Sequence, residues 1–229
     1  MQKTNEESLE LVRAAALRGV HQAQVLYGQM LLDGKLIERN PAAALHWFER
    51  AAQGGNLMAV NMVGRCFDQG WGVARSSYMA EQWFRKAAER GLDWGMYNLA
   101  TLLTLGEDGI REDKLAALYW FRKAADLGHA KSMNILGGFY EDGWVVRPDR
   151  AIARNYYQRA AAGGDFRGQF NYARFLMQEG DLLSALDWLR QVPATATPAF
   201  IGKMKEFLAA FSQPEIKDFA LSLAEIQQS

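Results

Sequence analysis

The sequence has one cysteine, Cys66, only three histidines and no long hydrophobic run. A lone cysteine forms no intrachain disulfide and belongs to no cysteine cluster that could hold zinc. No stretch approaches the roughly 18 apolar residues that a membrane-spanning helix needs. The 26 basic residues balance 26 acidic ones, and a zero net charge argues against binding to nucleic-acid phosphates. We therefore expect neither a membrane nor a nucleic acid as partner.

Catalytic motifs are also missing. His21, His46 and His129 lie far apart and lack the H-E-x-x-H spacing of zinc enzymes. The sequence contains no G-x-S-x-G, no P-loop and no dinucleotide-binding fingerprint after a strand. Cys66 has no activating neighbour, which favours a small core residue over a nucleophile. The sequence thus predicts a protein that is not an enzyme, with no cofactor and no catalytic, cofactor-binding or metal-binding residues.

The N-terminal segment bears on the compartment. Residues 1–7 are polar and acidic and lack the apolar region of a signal peptide. Unless a leader was removed upstream of this numbering, we expect a cytoplasmic protein.

What the sequence does have is an internal repeat. The pattern aromatic–aromatic–x–x–Ala–Ala–x–x–Gly starts at Trp47, Trp83, Trp120 and Tyr156, at steps of 36, 37 and 36 residues. Nine residues after each closing glycine, and after Gly19, a small residue forms a second column: Gly28, Gly64, Ala100, Gly137 and Ala173. Self-similarity at this period indicates an array of helix pairs.

Each position of the repeat has a physical explanation. Ala44, Trp47 and Ala51 share one face of a helix, so the tryptophan is predicted to be a core residue between two small ones. Four residues before the first alanine stands a residue suited to cap the helix: Asn40, Ser76, Asp113, Asp149 and Asp181. The closing glycines permit the left-handed conformation that ends a helix.

The other half of each unit is predicted to be a helix that precedes the aromatic one, and we call these the first helices. Segments 59–64 (Ala-Val-Asn-Met-Val-Gly), 95–100 (Gly-Met-Tyr-Asn-Leu-Ala) and 83–88 (Trp-Phe-Arg-Lys-Ala-Ala) resemble the Sel1-like repeat family. The resemblance implies helix–loop–helix repeats similar to tetratricopeptide repeats, stacked into an all-α, right-handed α-solenoid with terminal capping helices. The sequence departs from the family pattern where Leu36 and Val145 replace a loop glycine.

The repeat columns also predict the domain organisation. We expect the solenoid to span 1–193, with an N-terminal half-repeat (4–19) that Thr4 caps. Five repeats follow, at about 20–55, 56–91, 92–128, 129–164 and 165–193. Residues 194–229 are predicted to form capping helices of the same array, since the columns end after Pro193.

Binding residues are predicted by analogy with tetratricopeptide arrays, whose first helices line a concave groove. The inward positions lie six before, three before, one after and four after the small residue of the second column, so that Asp68, for example, faces inward. Aromatic, arginine and asparagine side chains at these positions suit recognition. The predicted partner-binding residues are Asn61, Arg65, Trp94, Tyr97, Thr101, Lys131, Asn134, Arg167, Phe170 and Arg174.

Several of these residues have specific expected roles. Asn61 and Asn134 could bond the backbone of an extended peptide, and Arg174, like Arg65, could pair with a carboxylate. The alternative for Trp94 and its neighbour Tyr97 is simple packing against the next repeat.

The predicted function is a non-catalytic scaffold or adaptor that binds a peptide or partner protein, of unknown identity, through its concave groove. Two alternatives stay open. One is a structural solenoid that self-associates through its end units, and the sequence does not fix the oligomeric state. The other is an inhibitor or regulator of a partner enzyme.

Overall fold

A computed structural model describes residues 2–106 and 108–226, with side chains described at 6–106 and 108–223. Within these ranges the chain is all α, without a strand, and it has one 3-10 helix, Val192–Ala194. The α-helices of the described residues are α1 (Gln2–Leu17), α2 (His21–Asp33), α3 (Pro41–Gln53), α4 (Leu57–Gln69), α5 (Ser77–Glu89), α6 (Asp93–Leu105), α7 (Lys114–Asp126), α8 (Ala130–Asp142), α9 (Arg150–Ala162), α10 (Phe166–Gln178), α11 (Leu182–Leu189), α12 (Pro198–Ala209) and α13 (Pro214–Ile226). The predicted all-α fold of helix–loop–helix repeats is confirmed.

Caps and glycines set the helix lengths, as the sequence predicts. The helices from α2 to α10 have 13 residues each. Asn40 Oδ1 accepts a hydrogen bond from the Ala43 backbone N–H at 3.0 Å. The other four predicted caps accept equivalent bonds from the residue three positions on. The closing glycines have positive φ, 88° at Gly55 and 92° at Gly91, where a side chain would be strained.

The N-terminal helix differs from its prediction. It begins at Gln2, so Thr4 lies inside the helix rather than at its cap. The Thr4 side chain lies outside the described side chains, and Met1 and residues 227–229 lie outside the described residues. The chain divides into two compact units, residues 1–124 (unit 1) and 125–229 (unit 2). The division into repeats and a capping region stays a prediction.

In unit 1, each helix from α1 to α5 packs against the next along the chain. The second-column glycines permit this approach, because a Cβ on Gly64 would lie 2.7 Å from Cδ1 of Phe84. Phe84 is 2% exposed, whereas Trp83 is half-buried and has the Lys86 ammonium over its ring. The core ring is thus the second aromatic of each pair. This corrects the prediction that the tryptophan, as at Trp47, fills the core.

In unit 2, the helices from α8 to α11 pack in chain order and α12 packs against α13. Tyr157 takes the place of the core phenylalanine, is 3% exposed and packs against Gly137. The apolar core continues into the two C-terminal helices through Met204 of α12 and Ile216 of α13.

Candidate partner-binding surface

All ten predicted binding residues lie on four first helices. The first-helix face of unit 1 comprises Asn61, Arg65, Trp94, Tyr97 and Thr101, on α4 and α6. The first-helix face of unit 2 comprises Lys131, Asn134, Arg167, Phe170 and Arg174, on α8 and α10.

Small residues and capped ends position these helices. A Cβ on Gly95 would lie 2.6 Å from the Cβ of Ala87, so the start of α6 sits directly against α5. The Asn56 side chain caps α4 by accepting from Ala59 N at 2.9 Å. Helix α4 ends at Gly70, whose φ is 69°. These contacts fix the start of α6 against α5 and both ends of α4, and thereby the positions of the binding candidates on α4 and α6.

The aromatic pair of unit 1 combines exposure with packing. Trp94 is 36% exposed and meets Tyr97 edge-to-face, with 6.0 Å between ring centroids. Tyr97 is half-buried and makes a second edge contact with Phe121 of α7, also at 6.0 Å. Tyr97 therefore packs against the next helix, as one of the two expectations has it, while Trp94 is exposed and a role in binding stays a prediction.

The two other half-buried members of this face have internal contacts. The Arg65 guanidinium lies 5.0 Å above the Trp71 ring, a cation–π contact. The Thr101 hydroxyl donates to the Tyr97 carbonyl oxygen at 2.9 Å. The Arg65 side chain is therefore held beside the loop that follows α4.

Asparagine pairs connect neighbouring first helices. Asn98 Nδ2 donates to Asn61 Oδ1 at 2.8 Å, and Asn171 Nδ2 donates to Asn134 Oδ1 at 2.9 Å. Asn61 is 2% exposed and Asn134 is 8% exposed. These two side chains are therefore poorly placed to bond a peptide backbone. The sequence analysis did not predict a role for the half-buried donors, Asn98 and Asn171. The signal that could have identified them is the spacing of 37 residues between the two asparagines of each pair.

Arg174 is engaged within unit 2. Its Nη1 and Nη2 donate to Oε1 and Oε2 of Glu141 at 2.7 and 2.6 Å, and the Tyr157 hydroxyl donates to Glu141 Oε2 at 2.8 Å. Burial alone would raise the pKa of Glu141, but the hydrogen bonds from Arg174 and Tyr157 and the charge of Arg174 outweigh it and lower that pKa. Burial, followed by the Glu141 contact, raises the pKa of Tyr157. The carboxylate expected from a partner is thus supplied by the chain itself.

The remaining members of the unit 2 face differ in exposure. Lys131 and Arg167 are exposed. The Arg167 guanidinium lies 4.5 Å above the Phe166 ring. Phe170 is half-buried and contacts Phe200 and Phe207 of α12, with centroid distances of 5.5 and 5.3 Å. Phe170 therefore serves mainly to pack α10 against α12.

Cys66 is a core residue rather than a reactive thiol. Cys66 is buried, and burial raises the pKa of its thiol to about 12, so the thiol is protonated at neutral pH. In residues 2–106 and 108–226, no three His, Cys, Asp or Glu side chains gather as a potential metal site. No helix of these ranges has the length and apolar character needed to cross a membrane.

The chain was compared with known families and structures. The family model described as Sel1 repeat matches residues 21–56, 57–92, 95–129 and 130–165. A comparison with curated protein sequences gives no match.

Three solved structures illustrate the similarity. A Sel1 repeat protein from Oxalobacter formigenes has 22% identity and a TM-score of 0.78, covering 96% of this chain and 98% of its own. A protective antigen of uropathogenic Escherichia coli strains has 24% identity and a TM-score of 0.70. The match covers 96% of this chain but only 48% of that antigen. An immunity protein from Pseudomonas aeruginosa has 16% identity and a TM-score of 0.61, covering 90% of this chain and 81% of its own.

Proposed function

Because this chain belongs to the Sel1 repeat family, we propose that it is a non-catalytic adaptor that binds a polypeptide through a groove formed by its first helices. Proteins built from Sel1 repeats generally mediate protein–protein interactions, and their fold is typically a non-enzymatic scaffold. The observation that carries the proposal is the exposure of Trp94 on α6 and of Arg167 on α10. Both residues occupy the same repeat position, six before the small residue of the second column.

The contacts divide the predicted binding residues into two groups. Asn61, Asn134, Phe170 and Arg174 are occupied in contacts that hold helices together. The second group is defined by exposure: Trp94, Lys131 and Arg167 are exposed, and Arg65, Tyr97 and Thr101 are half-buried with part of each side chain accessible. Tryptophan, tyrosine and arginine side chains contribute most of the binding energy in many interfaces. This second group is our revised set of contact residues.

An inhibitor of an enzyme is a special case of the same proposal, because it differs only in the nature of the partner. The similarity to the Pseudomonas aeruginosa immunity protein is a similarity of fold. Self-association is a separate alternative, which the mass of the purified protein in solution tests directly.

Selection from a library of random displayed 16-residue peptides tests the proposal. Peptides selected on the wild type are then synthesised, and their Kd values are measured for two double variants. We expect Trp94→Ala with Arg167→Ala to weaken binding by about 2 kcal/mol or more, roughly 30-fold in Kd. The matched control is Tyr78→Ala with Arg147→Ala, which removes another exposed aromatic and another exposed arginine outside the first helices.

The outcomes are distinct. Equal loss of affinity in the test and control variants would place binding elsewhere than on the first helices. Failure to select any peptide would overturn the proposal for linear partners. A dimer or larger species in light scattering, combined with no selected peptide, would favour the self-associating solenoid.

A further inference from the structure

Unit 1 contains a cavity of about 250 Å³ bordered by the last turns of α4 and α6 and by the start of α5. Part of its wall is apolar and comes from Phe84, Leu102 and Leu105. Asp68 and Thr101, which occupy predicted inward positions of the repeat, form part of its polar wall. Two of the lining residues therefore occupy repeat positions of the proposed binding surface.

Three polar side chains of this cavity donate hydrogen bonds to other groups of the protein, and their oxygen atoms remain as acceptors in the cavity wall. The Thr101 hydroxyl donates to a carbonyl of its own helix at 2.9 Å. The buried Ser77 hydroxyl donates to Asp108 Oδ2 at 3.2 Å, and the Asn98 amide donates to Asn61 at 2.8 Å. Each hydroxyl oxygen, and the Oδ1 of Asn98, retains lone pairs. The wall is thus rich in hydrogen-bond acceptors.

The cavity wall carries one acidic and one basic side chain, and within the described part of the chain only the basic one forms an ion pair. Arg75 also lines it, but its guanidinium is engaged with Asp108 Oδ2 at 2.8 Å and with the Asp68 carbonyl oxygen at 3.0 Å. The Asp68 carboxylate accepts from the neutral Gln69 side chain and, among the described residues, has no ion pair. Helices α4 and α6 end here with partial negative charge and α5 begins here with partial positive charge, so two of the three helix ends favour a cation.

From this geometry we infer that the cavity, which we call the acceptor pocket, binds the cationic side chain of a lysine or arginine of the partner polypeptide. Ammonium and guanidinium groups have only donors, so they match a wall of acceptors around Asp68. Their methylene stems suit the apolar contacts with Phe84, Leu102 and Leu105. An acidic side chain would meet the Asp68 carboxylate, and an apolar one would leave the acceptors without partners. The inference rests on the proposed function.

The peptides selected above provide the test. We expect them to share a lysine or arginine at one fixed position. Replacing that residue by a neutral isostere, citrulline for arginine or norleucine for lysine, should weaken binding to the wild type at least tenfold. Asp68→Asn should weaken binding of the original peptide to a similar extent. In that variant, replacing the basic residue of the peptide by its isostere should leave the affinity nearly unchanged. Glu89→Gln, which removes one negative charge from the exposed part of α5 outside the acceptor pocket, should change neither value.

Failure of the pocket and failure of the proposed function look different. Peptides that depend on Trp94 and Arg167 but share no basic residue would overturn the acceptor pocket alone. The pocket would also be overturned if replacing the basic residue of the peptide by its neutral isostere weakened binding equally for the wild type and for Asp68→Asn. If no peptide is selected, the proposed function fails for linear partners, and the pocket inference fails with it.

Discussion

The Arg174 guanidinium and the Glu141 carboxylate form two parallel hydrogen bonds, of 2.7 and 2.6 Å, that link α10 to α8. The Tyr157 hydroxyl of α9 donates to the same carboxylate. Three helices of unit 2 therefore meet at one acidic side chain. Bidentate, charge-assisted pairs of this kind are among the stronger polar contacts in proteins. Arg174 is thus a structural residue first, although the sequence places it among the binding candidates.

Replacing Arg174 should destabilise unit 2. Arg174→Ala leaves the Glu141 carboxylate, which is 27% exposed, without its charged partner. We expect the free energy of unfolding to fall by about 2 kcal/mol, measured by urea denaturation. Arg167→Ala on the exposed side of the same helix should change it by no more than about 0.5 kcal/mol. Equal effects of the two variants would show that the ion pair contributes no stability.

Glu141 should also make the free energy of unfolding depend on pH in the acidic range. Its pKa lies below the ordinary value of 4.5, despite the opposing effect of burial. A carboxyl whose pKa is lowered in the folded state stabilises above its unfolded pKa and loses that contribution as the pH falls through the folded pKa. The wild type should therefore lose more stability than Glu141→Gln as the pH falls from neutral to below 4.5. Unfolding titrations of both proteins along this range measure the difference, and parallel curves would contradict it.

Local features of the fold follow from the sequence, because short-range rules decide them. Asn40 caps α3 and Gly55 has a left-handed backbone as predicted. Contacts between repeats do not follow from such rules. The choice between Trp83 and Phe84 as the core ring depends on how α5 crosses α4, and adjacent residues differ by only about 100° around a helix.

The candidate site was predicted less well for the same reason. Whether the Asn61 side chain faces a partner or bonds to Asn98, 37 residues further along the chain, depends on the distance between α4 and α6. Trp94, at a predicted inward position, is exposed. Arg174 is at a predicted inward position too, but its guanidinium binds the Glu141 carboxylate.

The two aromatic residues of α5 should differ in their effect on stability. Phe84→Ala removes a 2% exposed ring that packs over Gly64, and we expect a loss of about 3–5 kcal/mol in the free energy of unfolding. Trp83 is half-buried, so Trp83→Ala should cost less, about 1–2 kcal/mol. Thermal and urea unfolding compare the variants. A larger loss for Trp83→Ala would reverse the assignment of the core ring.

The loop between α8 and α9 should gain stability from a glycine. Val145 has a φ of 51°, a left-handed conformation that strains a β-branched residue. The side chain is 44% exposed, so its burial does little to offset the strain. Relief of this strain should stabilise the folded state by about 1–2 kcal/mol. The greater conformational freedom of glycine in the unfolded state should offset about 0.5–1 kcal/mol of that gain. We therefore expect Val145→Gly to raise the free energy of unfolding by up to about 1 kcal/mol.

Leu36 is the matched control, because it occupies the equivalent loop position, is 46% exposed and lacks a positive φ. Leu36→Gly has no strain to relieve and should only destabilise, so a gain in both variants, or in neither, would contradict strain at Val145.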